Sequence, residues 1–127
     1  MEELIRALLL ADSGVSGLVG TTVSYGQHPA GKPLPGVLLT VISDTGGYLV
    51  NKPGGLDQAR IQVDCDALSY GEAKQISRAV RAALSGHAGG GIKGVFHAST
   101  RDSHKGGSNE VSQPYRVSLD FHITYSI

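Results

Sequence analysis

Residues 59–86 read ARIQVDCDALSYGEAKQISRAVRAALSG, a strand that runs directly into a helix. In the first part Ala59, Ile61, Val63, Cys65 and Ala67 alternate with Arg60, Gln62, Asp64 and Asp66. A period of two sends the first set to one face of a pleated sheet and the second to the other. The period then changes. Ala73, Ile76, Val80, Ala83 and Leu84 share one stripe of a helix, with Glu72, Lys74, Arg78 and Arg81 off it. Ser69 stands three residues before Glu72, the spacing of a capping box, and Gly86 supplies a C-terminal stop. An apolar strand face followed by an apolar helix stripe predicts one layer of helix on one layer of sheet.

Working outward, residues 2–11 predict a helix with Leu4, Ile5, Leu8 and Leu9 as its stripe, stopped by Asp12-Ser13-Gly14. Val15, Leu18 and Val19 predict a short packed turn leading to a strand at 22–25, and the prolines of 27–35 predict a loop. Residues 37–43 form a nearly continuous apolar, β-branched run, as a central strand does. Residues 44–57 hold Tyr48, Leu49 and Val50 between two Gly-Gly pairs, which predicts a hairpin or extended arm. Residues 92–99 predict another strand, and 100–113, with its charges and glycines, a mobile loop. In the last strand Tyr115, Val117, Leu119, Phe121, Ile123, Tyr125 and Ile127 face one way, and Arg116, Ser118, Asp120, His122 and Thr124 the other. The fold expected is α+β: a single layer of mostly antiparallel sheet, about four to five strands, packed against two helices and carrying the arm. Residues 1–127 are expected to make a single domain.

Composition narrows the functions. Lys plus Arg equals Asp plus Glu at 11 each, so the net charge is zero and the basic excess of a nucleic-acid binder is absent. One cysteine allows no internal disulfide and suits a reducing compartment. No apolar run reaches the ~20 residues of a membrane span, and the first residues lack a signal peptide's pattern. Glycine, at 18 of 127 residues, is about twice the usual ~7% and gathers between the periodic segments.

Few residues carry chemistry. Asp64 and Asp66 share a strand face, and Asp120 and His122 join them if the last strand pairs nearby, which would make a hard-metal site of the phosphoryl-transfer type. The plainer reading, and the one adopted, is a solvated sheet face with Arg60 and Arg116 as counter-charges. The five histidines lack zinc-ligand spacing, and Cys65 falls in the apolar set of its strand, as a buried small hydrophobe does. The glycine run at 86–91 follows a helix and precedes a strand, the reverse of a phosphate cradle. No catalytic residue, cofactor or metal ligand is assigned, and the chain is not expected to be an enzyme. Tyr48, Leu49 and Val50 on the arm, with Arg101, Asp102 and Lys105 in the later loop, are the candidates for subunit or partner contacts.

The order and spacing of several blocks together resemble the tail-completion, or tail-terminator, proteins of long-tailed bacteriophages and related prophages. The blocks are the opening helix from Glu2 to Leu9, Val15-Ser16-Gly17-Leu18-Val19-Gly20, Pro35-Gly36-Val37-Leu38-Leu39 and Ala59-Arg60-Ile61-Gln62-Val63-Asp64-Cys65. They continue with Tyr70-Gly71-Glu72-Ala73-Lys74, Ala79-Val80-Arg81-Ala82-Ala83-Leu84 and Tyr115-Arg116-Val117-Ser118-Leu119-Asp120-Phe121. The resemblance implies a small α+β protein that forms a homo-hexameric ring at the head-proximal end of the tail. Such a ring caps the tail-tube protein, ends its polymerisation and offers the head–tail connector a docking surface, while DNA passes through without specific binding. It implies a place in the virion, with assembly in the host bacterial cytoplasm, and no membrane partner. The alternatives are a head–tail connector or tube subunit and, further off, the metal-dependent phosphoesterase.

Overall fold

The strand-to-helix unit at 59–86 stands at the centre of the computed structural model, which describes residues 2–26, 35–49, 52–89, 91–104 and 115–126. In chain order the elements are α1 (Glu2–Ala11), α2 (Ser13–Val19), β1 (Val23–Tyr25), β2 (Gly36–Leu49), β3 (Lys52–Ala67), α3 (Tyr70–Leu84), β4 (Ile92–His104) and β5 (Tyr115–Ser126). The strands form one five-stranded sheet in the order β1-β2-β3-β5-β4. Among the described strands the β1–β2 pair is parallel, and β2–β3, β3–β5 and β5–β4 are antiparallel. The loop predicted at 27–35 falls outside the described residues up to 34, as does the later loop from 105.

All three helices contribute to one core against one sheet face. The inward set of β3 (Ala59, Ile61, Val63, Cys65, Ala67) and of β5 (Val117, Leu119, Phe121, Ile123) is buried, as the alternation requires. Ala73, Ile76, Val80 and Leu84 of α3 close over it, joined by Ile5 and Leu9 of α1 and Val15 and Val19 of α2. Burying a side chain such as Ile76 or Leu84 stabilises the fold by roughly 1.5–3 kcal/mol. The caps agree with the sequence. Ser69 Oγ accepts from the Glu72 amide at 3.2 Å, and Gly86, just past the Ser85 C-cap, takes φ 79°. Cys65 is buried, and desolvation, then the charges of Asp66 and Asp64, push its thiol well above the ordinary range.

Three expectations need correction. The packed turn at Val15–Val19 is a helix, α2, so the described residues hold three helices rather than two. Asp12 does not simply stop α1; its carboxylate accepts from the Val15 amide at 3.0 Å and caps α2. The loop expected from Thr100 begins as strand: β4 runs to His104 because it pairs with β5 as far as His104↔Tyr115. Cross-strand pairing overrides the polar composition of those residues.

The expected arm is a hairpin of β2 and β3. Pairing of β3 with β5 ends at Leu56↔Ser126, whereas β2 and β3 continue to Leu49↔Lys52. The ribbon therefore projects about 13 Å past the β5 end at ~3.3 Å per residue. Nearer the body, Tyr125 Oη donates to both Asp44 carboxylate oxygens at 2.6 and 2.8 Å, linking β5 to β2 across β3.

Candidate functional site

The face of the sheet turned away from the helices carries most of the charged contacts. Alternation sends Arg60, Gln62, Asp64 and Asp66 of β3 to it, and register sets them opposite His122, Asp120, Ser118 and Arg116 of β5. Arg116 grips Asp66 with both prongs, Nε to Oδ1 at 2.7 Å and Nη2 to Oδ2 at 2.9 Å, the geometry of the stronger charge-assisted pairs. Asp64 Oδ1 accepts from Ser118 Oγ at 2.6 Å and Gln62 Nε2 at 3.0 Å, and its Oδ2 lies 3.7 Å from Arg116. Asp120 Oδ2 accepts from Arg101 Nη1 at 2.6 Å, Arg60 Nη2 at 2.9 Å and Ser99 Oγ at 3.2 Å.

This face is not the solvated surface expected. Asp64, Asp66 and Asp120 are each only 1–2% exposed, roofed by side chains of which Arg60 and Arg101 are about half exposed and Arg116 less. Burial alone would raise the Asp120 carboxyl, but the hydrogen bonds from Arg101, Arg60 and Ser99 outweigh it and bring it down to about 2. Asp66 in turn raises the Arg116 guanidinium. Long arginine stems covering apolar and polar neighbours while the heads stay wet account for acids hidden on a sheet face that no described helix covers. The counter-charge role read for Arg60 and Arg116 stands, and Arg101 joins it. The carboxylates that would hold a metal are thus engaged by guanidinium and hydroxyl donors, and His122 points outward, exposed. Among the described residues no group of His, Cys, Asp and Glu is arranged to hold a metal ion.

A β-bulge puts Arg101 there. β4 pairs His97↔Phe121 and then Ser99↔Asp120, so Ala98 is an extra residue that reverses the alternation. Arg101 consequently lies on the outer face beside Asp120, and Asp102 on the helix side. There Asp102 accepts from Lys74 Nζ at 2.8 Å and Tyr70 Oη at 2.7 Å, which lowers its carboxyl, Lys74 first and Tyr70 next. The two neighbours chosen as contact candidates therefore serve opposite faces. Tyr48 and Leu49 pair with Pro53 and Lys52 in the hairpin, while Val50 and Lys105 lie outside the described residues.

Sequence reasoning missed a transverse row on this face. Ser43 of β2, Arg60 of β3, His122 of β5 and Phe96 of β4 are consecutive partners across the sheet. Ile42, the bulged residue beside Ser43, is 49% exposed, and Phe96 is 61% exposed. A cleft of about 340 Å³ opens between Ser43, Gln58, Arg60 and His122. The Phe96 ring rests on Gly94, where any Cβ would fall 2.8 Å from it. The available signal was Ile92 and Val95, both buried yet three apart, a spacing that no unbroken strand gives to one face. On the helix side a second feature is an apolar groove of about 410 Å³, lined by Leu4, Ala7, Leu8 and Ala11 of α1 with His87, Gly89 and Ile92.

The sequence profile of the family described as tail completion protein gp17 matches residues 3–126. The chain belongs to that family. No curated protein matches it. Among solved structures, it is similar to a chain described as virion of native gene transfer agent (GTA) particle. The two share 25% identity and a TM-score of 0.62, over 97% of this chain and 92% of that one. The protein is thus a structural component of virion assembly that works at the tail. A frame built of ion-paired and apolar surfaces suits such a part.

Proposed function

We propose that this tail-completion protein acts as one domain over residues 1–127 and closes into a hexameric ring at the head-proximal end of the tail. The ring caps the tail-tube protein, ends its polymerisation and gives the head–tail connector its docking surface. The observation that carries the reading is a frame with two unlike surfaces on opposite sides: an ion-paired sheet face and an apolar groove beside α1. Closed rings need unlike patches that meet head to tail, whereas a twofold dimer needs one self-complementary patch. Zero net charge fits a channel through which DNA passes without being held. The hairpin of β2 and β3, with Tyr48 and Leu49 near its end, is the part offered to tube or connector.

Electron microscopy of the purified protein tests this. Closed rings of uniform size are expected; open tubes would make it a tube subunit, and monomers at every concentration would refute ring closure. Deleting 46–54 should abolish ring formation or tail joining, and unchanged complementation would remove the hairpin from the contact.

A further inference from the structure

The two unlike surfaces match each other. On the sheet face the acids are buried, so among the described residues the charge that protrudes is cationic, from Arg60 and Arg101, with Phe96 exposed on the same face. The groove by α1 is apolar and its stripe of Leu4, Ala7, Leu8 and Ala11 continues at helical spacing to exposed Glu3, which precedes Ala7 by one turn. Apolar ring faces apolar groove, and guanidinium faces carboxylate. His87 is the only titratable side chain among the residues lining the groove, so it lacks the convergent polar groups that orient a small ligand. The groove has room for an aromatic ring, whose burial dominates many interfaces. Phe96 and the groove lie on opposite faces of the sheet-and-helix frame, so one copy cannot fill its own groove.

We propose that Phe96 of one copy seats in the α1 groove of the next, with Arg60 and Arg101 facing Glu3 across the contact. The occupant of the groove is a second copy of this chain. The inference rests on the ring reading and names the patches that make it. Gly94 leaves the space beside the strand that the Phe96 ring occupies before it engages the neighbour. The buried carboxylate of Asp120 holds both arginine heads in place before the neighbour arrives, which lowers the ordering cost of binding.

Cysteine cross-linking of the full chain tests it, since the native Cys65 is buried. Phe96→Cys protein mixed with Ala7→Cys protein should give an oxidised pair joining the two variants, because a disulfide forms only where Cα atoms come within about 7 Å. The double variant should give a ladder that ends at the ring. Phe96→Asp should weaken association about thirtyfold or more, the scale of a hot spot, with the thermal midpoint of the dissociated monomer unchanged. Rings that form without the 96-to-7 cross-link would overturn the contact and leave the ring standing. Linkage of Phe96→Cys to itself in place of that cross-link, or wild-type association of Phe96→Asp, would also overturn it. Absence of any assembly across a concentration series would sink the contact and the ring together.

Discussion

Replacing Asp120 by Asn keeps the size of the side chain and removes only its charge, so it isolates the ionic part of the sheet face. The Asp120 carboxyl falls from an ordinary 3.8 to about 2, through Arg101, Arg60 and Ser99 acting against burial. That fall corresponds to about 2.4 kcal/mol of linked stability at neutral pH, at 1.36 kcal/mol per pH unit. Half-exposed arginine heads are screened by water, which brings the expected loss to about 2 kcal/mol. The sign follows from the direction. A depressed carboxyl contributes its full stability above its unfolded value and loses it as pH falls through the folded one. The gap between wild type and Asp120→Asn should therefore be constant from pH 7 to about 4.5 and shrink to a few tenths of a kcal/mol by about pH 2. Urea unfolding at fixed protein concentration reads it. With a slope of about 1.5 kcal/mol/M, the midpoints should differ by about 1.3 M at neutral pH. A gap that stays constant down to pH 2, or no gap at pH 7, would refute the claim that two arginines hold this acid ionised.

Phe121→Ala empties a fully buried position in β5 and should cost about 3–5 kcal/mol, read as a large fall in thermal midpoint. Ser69→Ala removes the α3 cap and should cost about 1 kcal/mol in urea unfolding, with Ser69→Gly closer to wild type. Deleting Ala98 removes the β4 bulge while keeping Ser99 opposite Asp120 and Arg101 on the outer face; the Arg101–Asp120 and Lys74–Asp102 pairs should survive, so Lys74→Ala should cost the same in urea unfolding with and without Ala98. Gly94→Ala should displace the exposed Phe96 ring, leave stability within about 0.5 kcal/mol and weaken self-association measured by sedimentation.

How much of this was legible in the sequence depends on how regular each strand is. β3 and β5 are regular along the stretch they share, so their alternation named the core residues, from Ala59 to Ala67 and from Val117 to Ile123, and also Arg60 and Arg116 as counter-charges. The helix α3 was legible for the same reason, through its stripe and its Ser69 cap. α2 was not, because Ser13-Gly14-Val15-Ser16-Gly17 contains two glycines and poor helix formers; the Asp12 cap and burial of Val15 and Val19 override that weak propensity. The burial of the aspartates was also hidden. A polar strand face reads as solvated, and only the position of three arginine side chains shows that it is roofed.

The site depends most on what alternation cannot see. Apart from the register shift between Gly46 and Tyr48 out in the hairpin, β2 carries a bulge between Val41 and Ser43, and β4 carries bulges between Ile92 and Gly94 and between His97 and Ser99. Each shifts a strand by one residue, and a one-residue shift moves every later side chain to the other face. The β2 bulge turns Asp44 toward the helix side, where Tyr125 reaches it, and leaves Ile42 exposed. The first β4 bulge lets Ile92 and Val95 both enter the core while Phe96 faces out, and the second brings Arg101 over Asp120. Bulges occur on both sides of the regular central pair, β3 and β5, which continues unshifted beneath the row Ser43, Arg60, His122 and Phe96. The centre of the sheet therefore specifies the fold, while these single-residue bulges in the flanking strands specify which residues the outer face presents to a neighbour.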